Sequence, residues 1–196
     1  MRSRTARLTL TSACLSVLAC ALVRADGRPI DTAQSKLTVF VYKSGLFSAF
    51  ADDHIVDATI ASGTVSEDSP LSVSIEVRAG ELRVRDPNLS AGKRAEVQMR
   101  MLGSEVLDVA KFPSIAFESS AVEPNGTDRW NVSGRLTIHG QMRPVTFVTT
   151  RSSGRYRGTV TIKQRDFGIV PISIAGGSVK VKDELKIEFD VVPKRD

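Results

Sequence analysis

Along most of this chain apolar and polar residues alternate one by one, the spacing of strands that bury a single face. Runs with this period cover Leu37–Tyr42, His54–Val65, Leu71–Val84, Ser114–Val122, Trp130–His139, Val145–Thr150, Tyr156–Lys163 and Ser178–Val192. Turn-forming clusters part them: SEDSP, EPNGTD, HGQMRP, SSG and AGG. The last run reads either as one strand or as a hairpin pivoting on Lys182-Asp183-Glu184. Regularly punctuated strands of this kind form a sandwich or a barrel.

One segment departs from the alternation. Between Ser90 and Lys111, residues Ala95, Met99, Leu102 and Val106 fall on one helical face, with Lys93, Arg94, Gln98 and Arg100 largely elsewhere. Ser90 is a suitable cap, Gly103 divides the segment into two short helices, and Pro113 ends the second. The pattern predicts one all-β domain with a short helical insertion at about 91–110. An eight-stranded antiparallel β-barrel accounts for this economically. Closure removes both sheet edges, the interior just holds one elongated small ligand, and a helix can cover one mouth. A sandwich would need no such cover, and alternation alone does not choose between the two.

Composition changes the picture mainly at the start of the chain. Residues 1–25 carry Arg2, Arg4, Arg7 and Arg24, a run of apolar and small residues from Leu8 to Val23, and no acid. They read as a secretory signal peptide, leaving residues 26–196 as the exported, periplasmic domain. A permanent anchor is the rival reading, but the apolar run is short for a spanning helix. The stretch VLAC offers a second processing route, in which Cys20 would be acylated and tether the domain to a membrane. Of 27 basic residues, 23 remain beyond the leader against 22 acids, so the high overall charge indicates no nucleic-acid partner. Both cysteines, Cys14 and Cys20, also lie in the leader. About 170 residues without disulfides or thiolate ligands must be held by an apolar interior.

Four stretches in order, SGLFSAFADDH, EVLDVAKFPSIAFES, GRLTIHGQMRPVTF and QRDFGI, resemble the YceI-like family over about residues 31–192. The most specific are KFPSIAFES (111–119) and the LTIHG-x-x-RPV run (136–145). The resemblance implies a lipocalin-like barrel, exported to the periplasm, that encloses a long isoprenoid chain such as a polyprenyl lipid or quinone tail. The chain departs from the family pattern in places. Tyr42-Lys43 stands where many members have histidine, and Asp52-Asp53-His54 where a related branch has His-Asp-His. Arg85-Asp86-Pro87-Asn88-Leu89 only loosely follows the family's RDxHL pattern.

Candidate chemistry is sparse. Asp52, Asp53 and His54 supply possible metal ligands, but neighbours in an extended segment point to opposite faces, and His139 is the only other imidazole. No HExxH, GxSxG or GxGxxG motif occurs. The expected function is therefore non-enzymatic binding or transport of an isoprenoid lipid or quinone, with no cofactor and no metal. Apolar strand residues Phe40, Phe117, Leu136, Ile138, Phe147, Ile162, Ile187 and Phe189 are the candidate tunnel lining. His54, His139 and Arg165 are candidates for the polar head. The alternatives are a metal- or histidine-dependent enzyme around Asp52, Asp53, His54 and His139, and an assembly factor acting through the barrel exterior. Pairing of two barrels stays open. An outer-membrane barrel is disfavoured because the chain ends in VPKRD, without a terminal aromatic girdle.

Overall fold

The computed structural model describes residues 27–44, 53–174 and 179–195. The expected leader, Cys20 and Asp52 lie outside them. The described elements are β1 (Arg28–Pro29), β2 (Lys36–Ser44), β3 (His54–Ala58), β4 (Ile60–Ser66), β5 (Ser72–Arg78), β6 (Arg83–Val84), α1 (Ala91–Leu102), β7 (Ser114–Pro124), β8 (Arg129–Ile138), β9 (Gln141–Ser152), β10 (Arg155–Lys163), β11 (Ser173–Ile174) and β12 (Val179–Val191).

The strands pair antiparallel in the order β1-β4-β5-β7-β8-β9-β10-β12-β2-β3-β6. This path is a ring, because β3 and β4 are two halves of one stave parted only by Thr59. On one flank the stave meets β1 and β2, which are parted by a turn at residues 30–35; on the other it meets β5 and β6. Counting residues 54–66 as one stave leaves eight, so the sheet is the expected lipocalin-like barrel with no long free edge. Two-residue turns with left-handed backbone, His139-Gly140 and Ser153-Gly154, join β8 to β9 and β9 to β10. These are the mirror-image turns that match strand twist.

Three local expectations need correcting. The insertion is a single helix: α1 stops at Leu102, and Gly103 continues in extended conformation. Residues 103–112 then form tight turns, with the Val106 and Asp108 N–H groups both donating to the Gly103 carbonyl and Asp108 at φ +43°. The last run is one strand rather than a hairpin. Lys182-Asp183-Glu184 sit in a register shift between Val181 and Leu185, where β12 gains residues against β2. Strand β9 begins at Gln141 rather than Val145, and so contains Pro144.

That last point has a topological cause. β9 and β10 pair only over 149–152 and 155–158. Beyond Gly158 each keeps one neighbour, β8 or β12, so Pro144 needs no N–H on its second flank. A 3₁₀ turn, Gln164–Phe167, packs against this fork, and Phe167 is almost fully buried. Gly158 marks where the two strands crowd together: a Cβ there would sit 2.5 Å from the Val148 carbonyl oxygen and 2.4 Å from the Phe189 ring.

At the other end of the barrel the first and last strands meet. Ile30 bridges Pro193, the Lys194 N–H donates to the Pro29 carbonyl (2.7 Å), and Ile30, Ile60, Val65 and Val191 form a buried cluster. α1 lies across the opposite mouth with none of its residues fully buried. The Ser90 hydroxyl caps it by accepting from the Lys93 N–H (3.4 Å). Polar contacts hang it from the barrel. The Gln98 side chain accepts from the Val84 N–H and donates to the Leu82 carbonyl, both at 2.8 Å. Arg94 donates to the carbonyls of Asp86 (3.2 Å) and Leu89 (2.9 Å).

Candidate ligand-binding cavity

The inward faces of the staves enclose a cavity of ≈ 840 Å³. Strand parity decides its lining. On β2, Leu37, Val39 and Val41 face it, so Phe40 faces out. Of the residues expected to line a tunnel, Phe117, Leu136, Ile138, Phe147, Ile162, Ile187 and Phe189 do border the cavity. Phe40 is outside it, with its ring 5.4 Å from Lys186 Nζ. Phe117, Phe147 and Phe189 form a ladder of tilted and edge-on contacts at 5.5 and 5.2 Å along one wall.

Each end carries polar groups. At the α1 end, His54 borders the cavity and its Nδ1 donates to Asp86 Oδ2 at 2.6 Å. The other Asp86 oxygen accepts from the Ile55 N–H at 2.6 Å, and the carboxylate is nearly fully buried. One carboxylate thus fixes the imidazole ring and ties the loop before α1 to β3. Asp53 instead accepts from the Lys43 backbone N–H at 2.8 Å. His139 and Arg165 lie outside the cavity lining. The His139 ring packs 4.4 Å from Phe112 and its Nδ1 donates to the Phe167 carbonyl at 3.3 Å. Arg165 is exposed, 4.0 Å from Asp183. The two histidines have separate partners, and among the described residues no group of three His, Cys, Asp or Glu gathers to hold a metal.

The opposite end is a compact ionic cluster. Glu67 accepts from Arg28, Arg151 and the Tyr156 hydroxyl, and Arg151 also pairs with Asp128 (3.0 Å). Trp130 lies 5.7 Å from the Tyr156 ring, with the Arg151 guanidinium 5.7 Å from its own. Burial first, and then the Glu67 carboxylate accepting the phenol proton, push the Tyr156 pKa up to about 12. Within this cluster two cations pair with two anions.

Asp86, Gln98, Trp130 and Tyr156 were not singled out from the sequence. Asp86 and Gln98 act through backbone groups distant along the chain, a signal that only pairing register reveals. Trp130 and Tyr156 had a weaker signal, as aromatics at strand starts with the parity of the cavity-lining positions.

The model of the YceI-like domain matches residues 29–192, nearly all of the barrel. The chain belongs to the YceI-like family. Curated relatives include a UPF0312 protein of Pseudomonas savastanoi pv. phaseolicola, 33% identical over 111 residues (52% of this chain, 56% of the relative). Another, from Pseudomonas putida strain W619, is 35% identical over 85 residues, covering 38% of this chain and 44% of the relative. The chain spans about half the length of these curated relatives. Among solved structures, BcnA of Burkholderia cenocepacia superposes with a TM-score of 0.65 at 21% identity, covering 84% of this chain and 99% of that one. At that identity the likeness concerns fold alone, a β-barrel.

Proposed function

We propose that this protein binds a long apolar chain, of isoprenoid type, inside the barrel and does no covalent chemistry on it. The observation that carries the reading is the ≈ 840 Å³ cavity walled mainly by aliphatic and aromatic side chains, with its polar residues gathered toward the ends. Native interiors are close-packed. An apolar space of this size left without contacts forgoes the dispersion and burial that a close-packed interior gains. Water gains little from such walls, because it finds few hydrogen-bond partners there. A flexible hydrocarbon fits both the shape and the chemistry, and the volume lies in the range of about 300–1,000 Å³ usual for small-molecule sites. The family resemblance supports an isoprenoid as the chain and the periplasm as the place of action.

Native mass spectrometry of protein purified without denaturation or detergent tests this. The expected result is a co-purifying hydrophobic species, released by organic solvent and replaced by added geranylgeraniol with one-to-one stoichiometry. Protein that is repeatedly bare and takes up no geranylgeraniol would overturn the proposal.

A further inference from the structure

We infer that residues 164–169 are a side door: a plug in the wall between β9 and β10 that swings outward to pass the chain, with His139 as its latch. The inference rests on the reading of the cavity as a chain-binding site. The wall is split at this place. β9 and β10 pair only over 149–152 and 155–158; beyond that, 141–148 pair with β8 alone and 159–163 with β12 alone. Val145 and Phe147 on one side of the split, and Val160 and Ile162 on the other, all border the cavity. The split therefore gives onto the lumen, and parting it breaks no strand ladder.

The chain that follows β10 fills the split. Phe167 and Ile169 reach the cavity from it and are nearly fully buried. The segment is sewn to β12 at both ends, by Lys163 opposite Glu184 and by Ser173 opposite Lys180. Between those points Gln164 Nε2 donates to the Lys182 carbonyl (2.8 Å) and the Arg165 N–H to Asp183 Oδ1 (2.9 Å), again on β12. Across the split the tie is His139 Nδ1, donating to the Phe167 carbonyl at 3.3 Å. A flap fixed along one side and latched on the other has a defined direction of opening, away from β9. Gly168, at φ +74°, supplies a backbone pivot inside it. Such a turn opens at less cost than a paired strand does.

The latch is itself held in place. His139 sits in left-handed backbone at φ +51°, and its ring packs 4.4 Å from Phe112. Three of the stretches that stand out in the sequence thus meet here: KFPSIAFES through Phe112, LTIHG through His139 and QRDFGI through Phe167. None of the three residues has a part in lining polar contacts with cargo. The other cover, α1, is bonded through its Gln98 amide to both Leu82 and Val84 and packs Val97, Met101 and Leu102 on the core.

A door alters how fast the cavity fills and empties, and leaves the equilibrium affinity alone. Residues 26–196 contain no cysteine, so a pair can be introduced cleanly. Gln141 and Asp166 are exposed on the two sides of the split. In the Gln141→Cys, Asp166→Cys variant the plug is tied to β9 with o-phenylene bismaleimide, and intact mass verifies the bridge. The control is the same variant with both thiols capped by N-ethylmaleimide. Geranylgeraniol uptake and release are followed by stopped flow through the emission of Trp130, the single tryptophan, which borders the cavity. Bridging should slow both rates at least tenfold, with the dissociation constant unchanged within twofold. His139→Ala should raise both rates about threefold or more, again at constant affinity, and speed amide exchange at Gly168 and Ile169. Bridged protein that fills and empties at the control rate overturns the inference and leaves the chain-binding reading standing. So does a His139→Ala variant that changes affinity with no change in the rate of uptake. Capped control that takes up no geranylgeraniol would fell both.

Discussion

Asp86 carries an unusual share of the organisation for one side chain. It receives the Ile55 N–H and the His54 imidazole while nearly fully buried, and its own carbonyl accepts from Arg94. Replacing it with alanine leaves a strand N–H and a ring nitrogen without their acceptor. A loss of about 2 kcal/mol is expected, measured as a lower urea midpoint with Trp130 emission as probe. Tyr156 gives a pH prediction with a definite sign. An unfolded tyrosine ionises near pH ~10, whereas burial and Glu67 hold Tyr156 protonated to about 12. Its contribution to stability is thus intact below pH ~10 and drains away between ~10 and 12. The stability gap between wild type and Tyr156→Phe should narrow across that window, in urea titrations at pH 8 and pH 11.5. At residue scale the sequence was only half legible. Parity placed Phe117, Leu136 and Phe189 on one face of their strands, but it could not say which face of β2 was inward. That put Phe40 among the candidates instead of Val39 and Val41.

Elements are held here by a few decisive contacts. α1 buries none of its residues fully; Val97, Met101 and Leu102 pack against the core, and the Gln98 amide, bonded to both Val84 and Leu82, adds a polar anchor. Gln98→Leu should cost about 1–2 kcal/mol. It should also speed amide exchange at Val84 well above that at the barrel strands, as read by hydrogen–deuterium exchange. Where β9 and β10 part, Gly158→Val would drive a branched side chain into the Val148 carbonyl and the Phe189 ring. Overpacking of this kind costs about 1–3 kcal/mol, and thermal denaturation should register it as a lowered midpoint. Strand existence was readable from alternation because each stave buries one face. The end of α1 and the start of β9 were not, because both depend on neighbours distant along the chain. Gly103 ends the helix in extended backbone, and Pro144 is tolerated only because β10 is not paired there.

At the scale of the whole molecule, the ring of eight staves surrounds a volume that the side chains do not fill. A bulky residue on its wall should therefore be accommodated by the fold while competing with cargo. Leu136→Trp is expected to change the melting temperature little in cargo-free protein and to weaken geranylgeraniol uptake at least tenfold, measured by native mass spectrometry. A substitution into a solid core would instead destabilise the domain, so the pair of measurements separates a tunnel from packing. The all-β character was legible in the alternating runs, whereas the choice of a barrel over a sandwich needed the family resemblance, because both bury one face of each strand. The polar residues at the two mouths were not legible. Lys93, Arg100 and Lys180 at one end, and Glu67, Arg151 and Tyr156 at the other, are scattered along the chain and gather only once the ring has closed.

The seam between β1 and the residues after β12 has one more consequence. Because Lys194 is hydrogen-bonded to Pro29 and Ile30 bridges Pro193, the ring has no intrinsic first stave. A circular permutant that joins residue 195 to residue 27 through a short glycine linker, with new termini between Ser153 and Gly154, should keep every stave in register. In that rewired chain the point of attachment would move from the β1 seam to the β9–β10 turn without altering the lumen. Both sites lie at the barrel end remote from α1, so a cargo protein fused at either would leave the α1 mouth unobstructed.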